Sequence, residues 1–306
     1  MQQKRILAFG NPVYDLISTP FLQKSTRVLS GCSTNASLVV AKLGEQAYLV
    51  GTIGPDYAER LKFELDTWNI NYHLFPSKQT GGFNLVYDNR GNRELSILGI
   101  ADPIPAFSDG YDNVDFILLG PILGEVSVDL LNIIRQKTLA PVLLDPQGLL
   151  RVLRSGEIVH ELTEEFVKLA PLATIIKANE LEAKIITGIN PRNNPEGAVR
   201  SLHGFGCKTA IITLAEAGSV IHDGNQIYYI PPYTTTAIDP TGAGDTYAAG
   251  FMVRYLETND LVAVGCFASA VASIMVENIG PDFPLTRMEV ERRAKILLSD
   301  LLQLKL

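Results

Sequence analysis

The sequence predicts an α/β fold, a mostly parallel central sheet with helices on both faces. Short apolar runs at Val114–Leu119, Pro141–Leu144, Ala173–Ile176 and Thr209–Leu214 alternate with helix-like segments at roughly 126–139, 161–170, 179–187 and 195–204. Strands separated by helices need right-handed crossovers, and these build a parallel sheet covered on two faces. Three of the runs end in, or just before, a polar residue: Asp145, Asn179 and Thr213. In open α/β sheets the ligand crevice lies off the carboxyl ends of the strands.

The remaining elements follow in order. Ile6–Phe9, closed by Gly10-Asn11-Pro12, reads as a strand and a turn. Ala36, Val39, Val40 and Leu43 fall at i, i+3, i+4 and i+7, one face of a helix that Gly44 ends. Leu61, Leu65 and Trp68 suggest a second helix. Phe83–Leu98 forms two β-rich arms around Asp88-Asn89-Arg90-Gly91-Asn92, and Val220–Ile230 turns at Asp223-Gly224-Asn225; both read as hairpins. The last third is helical in pattern, at about 243–257, 260–276 and 286–303. With no repeat, low-complexity tract or linker, residues 1–306 are expected to form one domain. The early β-rich pieces are expected to form a small accessory sheet.

Composition narrows the function classes. The formal charge is −7 and 46% of the residues are hydrophobic, so a large core is expected and a general nucleic-acid or membrane-surface binder is not. Cys32, Cys207 and Cys266 are widely spaced, without a disulfide or zinc pattern, which fits a reducing, cytoplasmic setting. The first residues, Met1–Pro12, read as a strand rather than a signal-peptide core. Leu261–Val276 is too short to span a bilayer and reads as a buried helix. His73, His160, His203 and His222 show no metal-ligand spacing and are expected to be surface or structural.

The stretch Asp239-Pro-Thr-Gly-Ala-Gly-Asp245 carries the chemistry. A helix start presents free backbone N–H groups and a partial positive charge, and a turn without side chains lets an anion reach them. Gly242, Ala243 and Gly244 are therefore a candidate phosphate cradle. Asp245 admits two readings: a helix N-cap, or a general base accepting a proton beside the developing negative charge. The second suits phosphoryl transfer, where catalysis is largely positioning and charge stabilisation. The P-loop is absent, the string from Gly242 lacks the third glycine of a dinucleotide fingerprint, and Gly31-Cys-Ser33-Thr-Asn35 falls short of the hydrolase elbow.

These motifs together resemble the ribokinase-like (PfkB) family of carbohydrate and nucleoside kinases. Asp239–Asp245 resembles its C-terminal signature. Gly10-Asn-Pro-Val-Tyr-Asp15 is similar to its first strand and substrate-binding Asp. Gly31–Asn35 followed by Leu43-Gly44 resembles its Gly-Gly-x-x-x-Asn region, and Gly51-Thr-Ile-Gly54-Pro-Asp56 its next segment. Asn179-Glu-Leu-Glu182 reproduces its Asn-x-x-Glu motif, and Thr213-Leu-Ala-Glu-Ala-Gly218 is close to its Thr-Leu-Gly-x-x-Gly. The order and spacing match over nearly the whole chain.

The resemblance implies an ATP-dependent kinase that phosphorylates a hydroxyl of a small sugar or cyclitol. A nucleoside kinase is the alternative, and a non-catalytic nucleotide-binding protein a further one. Asp245 would be the base and the Gly242–Gly244 amides the anion hole. Asp15, Gly31 and Asn35 would bind substrate, against readings of Asp15 as a turn residue and Asn35 as an N-cap. Asn179 and Glu182 would organise Mg²⁺, a role compatible with a capping box. Thr213 and Gly218 would line the nucleotide site, or simply form a strand-end turn. Asp239 and Thr241 match positions that bind a monovalent cation, K⁺ being the expectation, or serve turn chemistry. Segments 11–30 and 80–100 would be a lid, through which a homodimer would form, with Tyr14, Phe83 and Asn84 as candidate specificity residues. Pro240, Cys32 and Ala215 depart from the family pattern, Cys32 by narrowing the approach to substrate. Asp145 and the following Arg151 would lie near the phosphates.

Overall fold

The computed structural model describes residues 2–19, 22–23, 26–87, 93–106, 110 and 113–303. The expected hairpin turn at Asp88–Asn92 lies outside them. In chain order the strands are β1 (Arg5–Phe9), β2 (Val13–Thr19), β3 (Leu22–Gln23), β4 (Val28–Ser30), β5 (Gln46–Ile53), β6 (Asn71–Pro76), β7 (Gly82–Tyr87), β8 (Arg93–Gly99), β9 (Phe116–Leu119), β10 (Val142–Leu144), β11 (Arg151–Arg154), β12 (Glu157–His160), β13 (Ile175–Ala178), β14 (Thr209–Thr213), β15 (Ser219–His222) and β16 (Ile227–Ile230). The helices are α1 (Cys32–Lys42), α2 (Ala58–Thr67), α3 (Val128–Lys137), α4 (Glu164–Leu169), α5 (Glu180–Thr187), α6 (Pro195–His203), α7 (Ala243–Tyr255), α8 (Leu261–Val276) and α9 (Arg287–Gln303).

A nine-stranded sheet runs in the order β16-β15-β14-β13-β10-β9-β1-β5-β6. From β14 to β6 all neighbours are parallel; β15 and β16 add an antiparallel edge. Its central strands read as unbroken apolar runs because both faces are buried. Successive residues serve opposite cores. Ile6, Ala8, Leu118, Leu143 and Ile175 pack with α1, α7 and α8. Leu7, Phe9, Ile117, Leu144 and Ile176 pack with the apolar faces of α3, α4, α5 and α6. The helix interior of α7 depends on Gly250, where a Cβ would stand 2.8 Å from a Val271 methyl and 3.1 Å from the Ala268 backbone of α8.

The expected alternation of strand and helix is present, with two differences. Strands β5 and β6 and the antiparallel pair β11–β12 had no counterpart in the sequence reading. β6 lies at the sheet edge with its residues half-buried or exposed, and β11 and β12 are mostly exposed, so neither shows a clear apolar period. The strand expected at Ala173–Ile176 instead runs from Ile175 to Ala178, which brings Asn179 directly to its end.

The early β-rich segments form a smaller mixed sheet in the order β3-β2-β7-β8, with β4 on β2. β2 and β7 run parallel, β7 and β8 antiparallel. Tyr14, on β2, is fully buried away from the strand ends. Its hydroxyl donates to Glu64 Oε2 at 2.6 Å and its ring stacks on Tyr57 at 4.1 Å, so it anchors the small sheet to α2.

Candidate active site

Because the central strands are parallel, their carboxyl ends open on one side, where Asp145, Asn179 and Thr213 end β10, β13 and β14. The amino end of α7 reaches the same edge. Gly242 is its N-cap, held at φ +86°, a left-handed backbone that glycine adopts without strain. Asp245 is therefore the third helical residue and not the N-cap, which removes that reading of its carboxylate. It is half-buried, whereas Thr246–Val253 after it are buried. The Ala243 N–H turns back to Pro240 O at 3.2 Å. An anion at this turn would thus meet the amides of Gly242 and Gly244 rather than all three.

α1 packs its first turn against that of α7. Gly31 is its N-cap at φ +113°, and a Cβ there would stand 3.0 Å from Asn11 O. Asn35 is not a cap: its Nδ2 donates to Asp245 Oδ2 at 2.9 Å. Cys32, fully buried, packs its sulfur against Gly120 and beside the Asp245 carboxylate. The Cys32 sulfur and the carboxylate oxygens of Asp145 and Asp245 lie within 4.8 Å of one another. Burial raises the Asp245 pKa, and the Asp145 charge adds to it; Lys177, Asn35 and Cys32 pull it back.

Asp145 accepts a 2.6 Å bond from Lys177, both side chains being buried. Lys177 was not foreseen. Its signal was a lone charge in a strand buried on both faces, two residues ahead of Asn179. Glu182 and Asn179 form a complete capping box: Glu182 N donates to Asn179 Oδ1 at 2.9 Å, and Asn179 N to Glu182 Oε2 at 2.8 Å. Burial, with Asp145 nearby, pushes the Glu182 pKa up to about 7 against the opposing pull of Lys177 and Arg151. Arg151 is buried, donates from Nη1 to Ile122 O at 3.1 Å, and lies 5.6 Å from the Phe83 ring centre on β7.

Asp15 is buried in β2 rather than in a turn, and its Oδ1 accepts from Phe83 N at 2.8 Å. Asp239 is buried and accepts the Thr241 N–H at 2.9 Å, the turn chemistry expected of it. Asp239, Thr241 and Gly280 share a cavity of about 20 Å³ with Ile17, Leu29 and Ser30 of the small sheet. That is room for about one water-sized occupant.

Thr213 ends β14, and the turn to Gly218 closes with Leu214 N donating to Gly218 O at 2.7 Å. Ala215, in that turn, has φ +47°. A left-handed backbone costs an L-residue roughly 1–2 kcal/mol, which a glycine at this position would avoid. Ala215→Gly is expected to stabilise the protein by about 0.5–1 kcal/mol after the added freedom of the unfolded chain is subtracted. Urea denaturation checks this through a higher midpoint at unchanged slope.

Among the described residues no helix is long and apolar enough to cross a membrane, and the three cysteines are free and buried. The family model described as pfkB family carbohydrate kinase matches residues 4–288. The chain is 29% identical over 238 residues to a cytidine kinase of Thermococcus kodakarensis, covering 74% of this chain and 78% of that one. It is 27% identical over 274 residues to a ribokinase of Bacillus subtilis, covering 86% and 87%. A solved pyrophosphate-dependent kinase in the ribokinase family, complexed with a pyrophosphate analog and myo-inositol, superposes with TM-score 0.79 at 23% identity, covering 94% of this chain and 99% of that one. The chain belongs to the pfkB family of carbohydrate kinases, phosphotransferases with an alcohol group as acceptor.

Proposed function

We propose that the protein transfers the γ-phosphoryl group of ATP to a hydroxyl of a small sugar or cyclitol. The observation that carries this reading is the half-buried Asp245 carboxylate at the start of α7, oriented by Asn35 beside a glycine turn. Asn35 holds the carboxylate through Oδ2, and the acceptor hydroxyl would donate its proton to that carboxylate. Asp245 takes the hydroxyl proton, the oxygen attacks the γ-phosphorus, and ADP leaves. The amides of Gly242 and Gly244 and the positive end of α7 stabilise the charge that builds on the phosphoryl oxygens. Asp15 and Asn35 hold acceptor hydroxyls, with Gly31 allowing close backbone approach. Thr213 and Gly218 line the nucleotide site.

Asn179, at the end of β13, and Glu182, in the first turn of α5, would hold Mg²⁺ through water; their oxygen acceptors suit a hard, reluctantly dehydrated cation. Bound there, Mg²⁺ supplies positive charge to the donor phosphates. Asp239 and Thr241 would hold K⁺ in the neighbouring cavity, whose one charged lining residue is Asp239. The small sheet would act as a lid that excludes water, the competing phosphoryl acceptor, and as the face of a homodimer. A nucleoside is the second reading, favoured by the similarity to a cytidine kinase.

A coupled ADP-release screen over pentoses, hexoses, inositols and nucleosides, with Mg²⁺ and with or without K⁺, tests the assignment. Stimulation by a sugar or inositol is the expected result. Stimulation by nucleosides alone selects the second reading. ATP binding without stimulation by any acceptor selects a non-catalytic nucleotide-binding protein.

A further inference from the structure

A buried ion pair beside Asp245 has no part in that reaction scheme. Ile175 and Lys177 are two residues apart on β13 and share a face, so Lys177 points to the sheet face that carries α7. Its ammonium donates to Asp145 Oδ2 at 2.6 Å, and both side chains are 3% exposed. A Cβ built on Gly244 would stand 2.9 Å from Lys177 Nζ. The ammonium therefore lies directly against the second glycine of the turn. Unlike Gly242, Gly244 has no left-handed backbone. What glycine provides at this position is room for the ammonium.

Three carboxylates, Asp145, Glu182 and Asp245, stand around this one cation. The 2.6 Å contact with the buried Asp145 carboxylate makes this an ammonium–carboxylate ion pair. Stability does not explain the arrangement, because desolvating two ions takes back most of their attraction and an apolar pair of the same volume serves as well or better. Location does explain it. A charge held without water acts far more strongly on a neighbouring anion than the same charge in solvent.

We propose that Lys177 is the fixed cation behind the anion hole, stabilising the phosphoryl group in transit across Gly244 while Asp145 holds the ammonium in place. This rests on the reading of Asp245 and the glycine turn as the phosphoryl-transfer site. The ammonium keeps its protons throughout: the acceptor O–P bond forms, the bond to ADP breaks, and the acceptor proton goes to Asp245.

The experiment compares Lys177→Met, Asp145→Asn, the double variant and Asp245→Asn, each checked for folding by circular dichroism and melting temperature. Lys177→Met is expected to lower kcat about 10²-fold, the usual effect of deleting one charge-stabilising donor, with acceptor KM within about threefold. In Asp145→Asn the amide oxygen still accepts the Lys177 Nζ–H bond, so the ammonium stays against Gly244 without its counter-charge, and kcat is expected to stay within about tenfold. The double variant removes the pair as a unit and is expected to stay as slow as Lys177→Met. If Lys177→Met alone does not fold, the folded double variant carries the comparison against Asp145→Asn. A double variant restored to near wild-type kcat makes the pair purely structural and overturns the proposal. So does an Asp145→Asn variant as slow as the double, or a Lys177→Met variant that raises KM at unchanged kcat. Wild-type kcat in Asp245→Asn would instead overturn the underlying site reading, whatever the Lys177 variants show.

Discussion

Replacing Asp245 by Asn is expected to lower kcat by about 10³-fold, the scale of a positioned general base, and at the same time to raise the melting temperature by a few degrees. Both effects come from one arrangement. Asn keeps the shape of the side chain but cannot accept the acceptor proton. The gain in stability follows from the direction of the pKa shift. Burial, reinforced by Asp145, raises the Asp245 pKa above its ordinary value, so the folded protein binds that proton more tightly than the unfolded chain. Between the unfolded and folded values the native state holds more protons, and stability falls as pH rises through that window. Above that window the ionised carboxylate subtracts a constant amount from stability, and the neutral amide removes that burden. Thermal unfolding at pH 7 and steady-state kinetics check the two halves. The acid limb of the wild-type kcat profile should likewise lie above the ordinary aspartate range, because that limb reports the base in the substrate complex. An Asp245→Asn variant with undiminished kcat would end the general-base reading.

Gly218→Ala is expected to destabilise the protein by more than about 3 kcal/mol, the range reserved for strain that nothing can relieve. Gly218 sits at φ +87°, ψ −132°, a region open only to glycine. A Cβ there would stand 2.1 Å from Ile230 O and 2.9 Å from Pro232 N. Both obstacles are backbone, and β15 and β16 are paired on either side, so neither has a rotamer to change. The chain must move at Gly218 itself. That breaks the bonds from Leu214 N to Gly218 O at 2.7 Å and from Gly218 N to Ala215 O at 3.0 Å, which shape the turn after Thr213. A displaced turn should raise KM for ATP about tenfold while the acceptor KM changes less, if this turn lines the nucleotide site. Denaturation midpoints and separate KM measurements for the two substrates distinguish the structural cost from the functional one.

The central architecture was legible because its cause is local. β9, β10 and β14 are continuous apolar runs bounded by turns, and the helices that lie between them have a period that differs from the strand's. The polar residues closing β10, β13 and β14 marked the crevice for the same reason. β6 escaped because an edge strand has one side open and its sequence, Asn71–Pro76, carries polar residues and a terminal proline. The antiparallel β11–β12 pair escaped because it buries little and so shows no apolar face.

The candidate site divides in the same way. The sequence by itself determined the parallel sheet, the glycine turn ahead of α7 and the capping box of Asn179 and Glu182, since each depends on residues within a few positions of one another. Only the tertiary structure decided that Asn35, 210 residues away, holds Asp245, that Asp145 and Lys177 meet across 32 residues, and that Tyr14 turns towards α2 instead of the crevice. Hydrophobic period and turn chemistry specify how a segment folds, whereas the partner of a buried charge is set by which segments the closed sheet brings side by side.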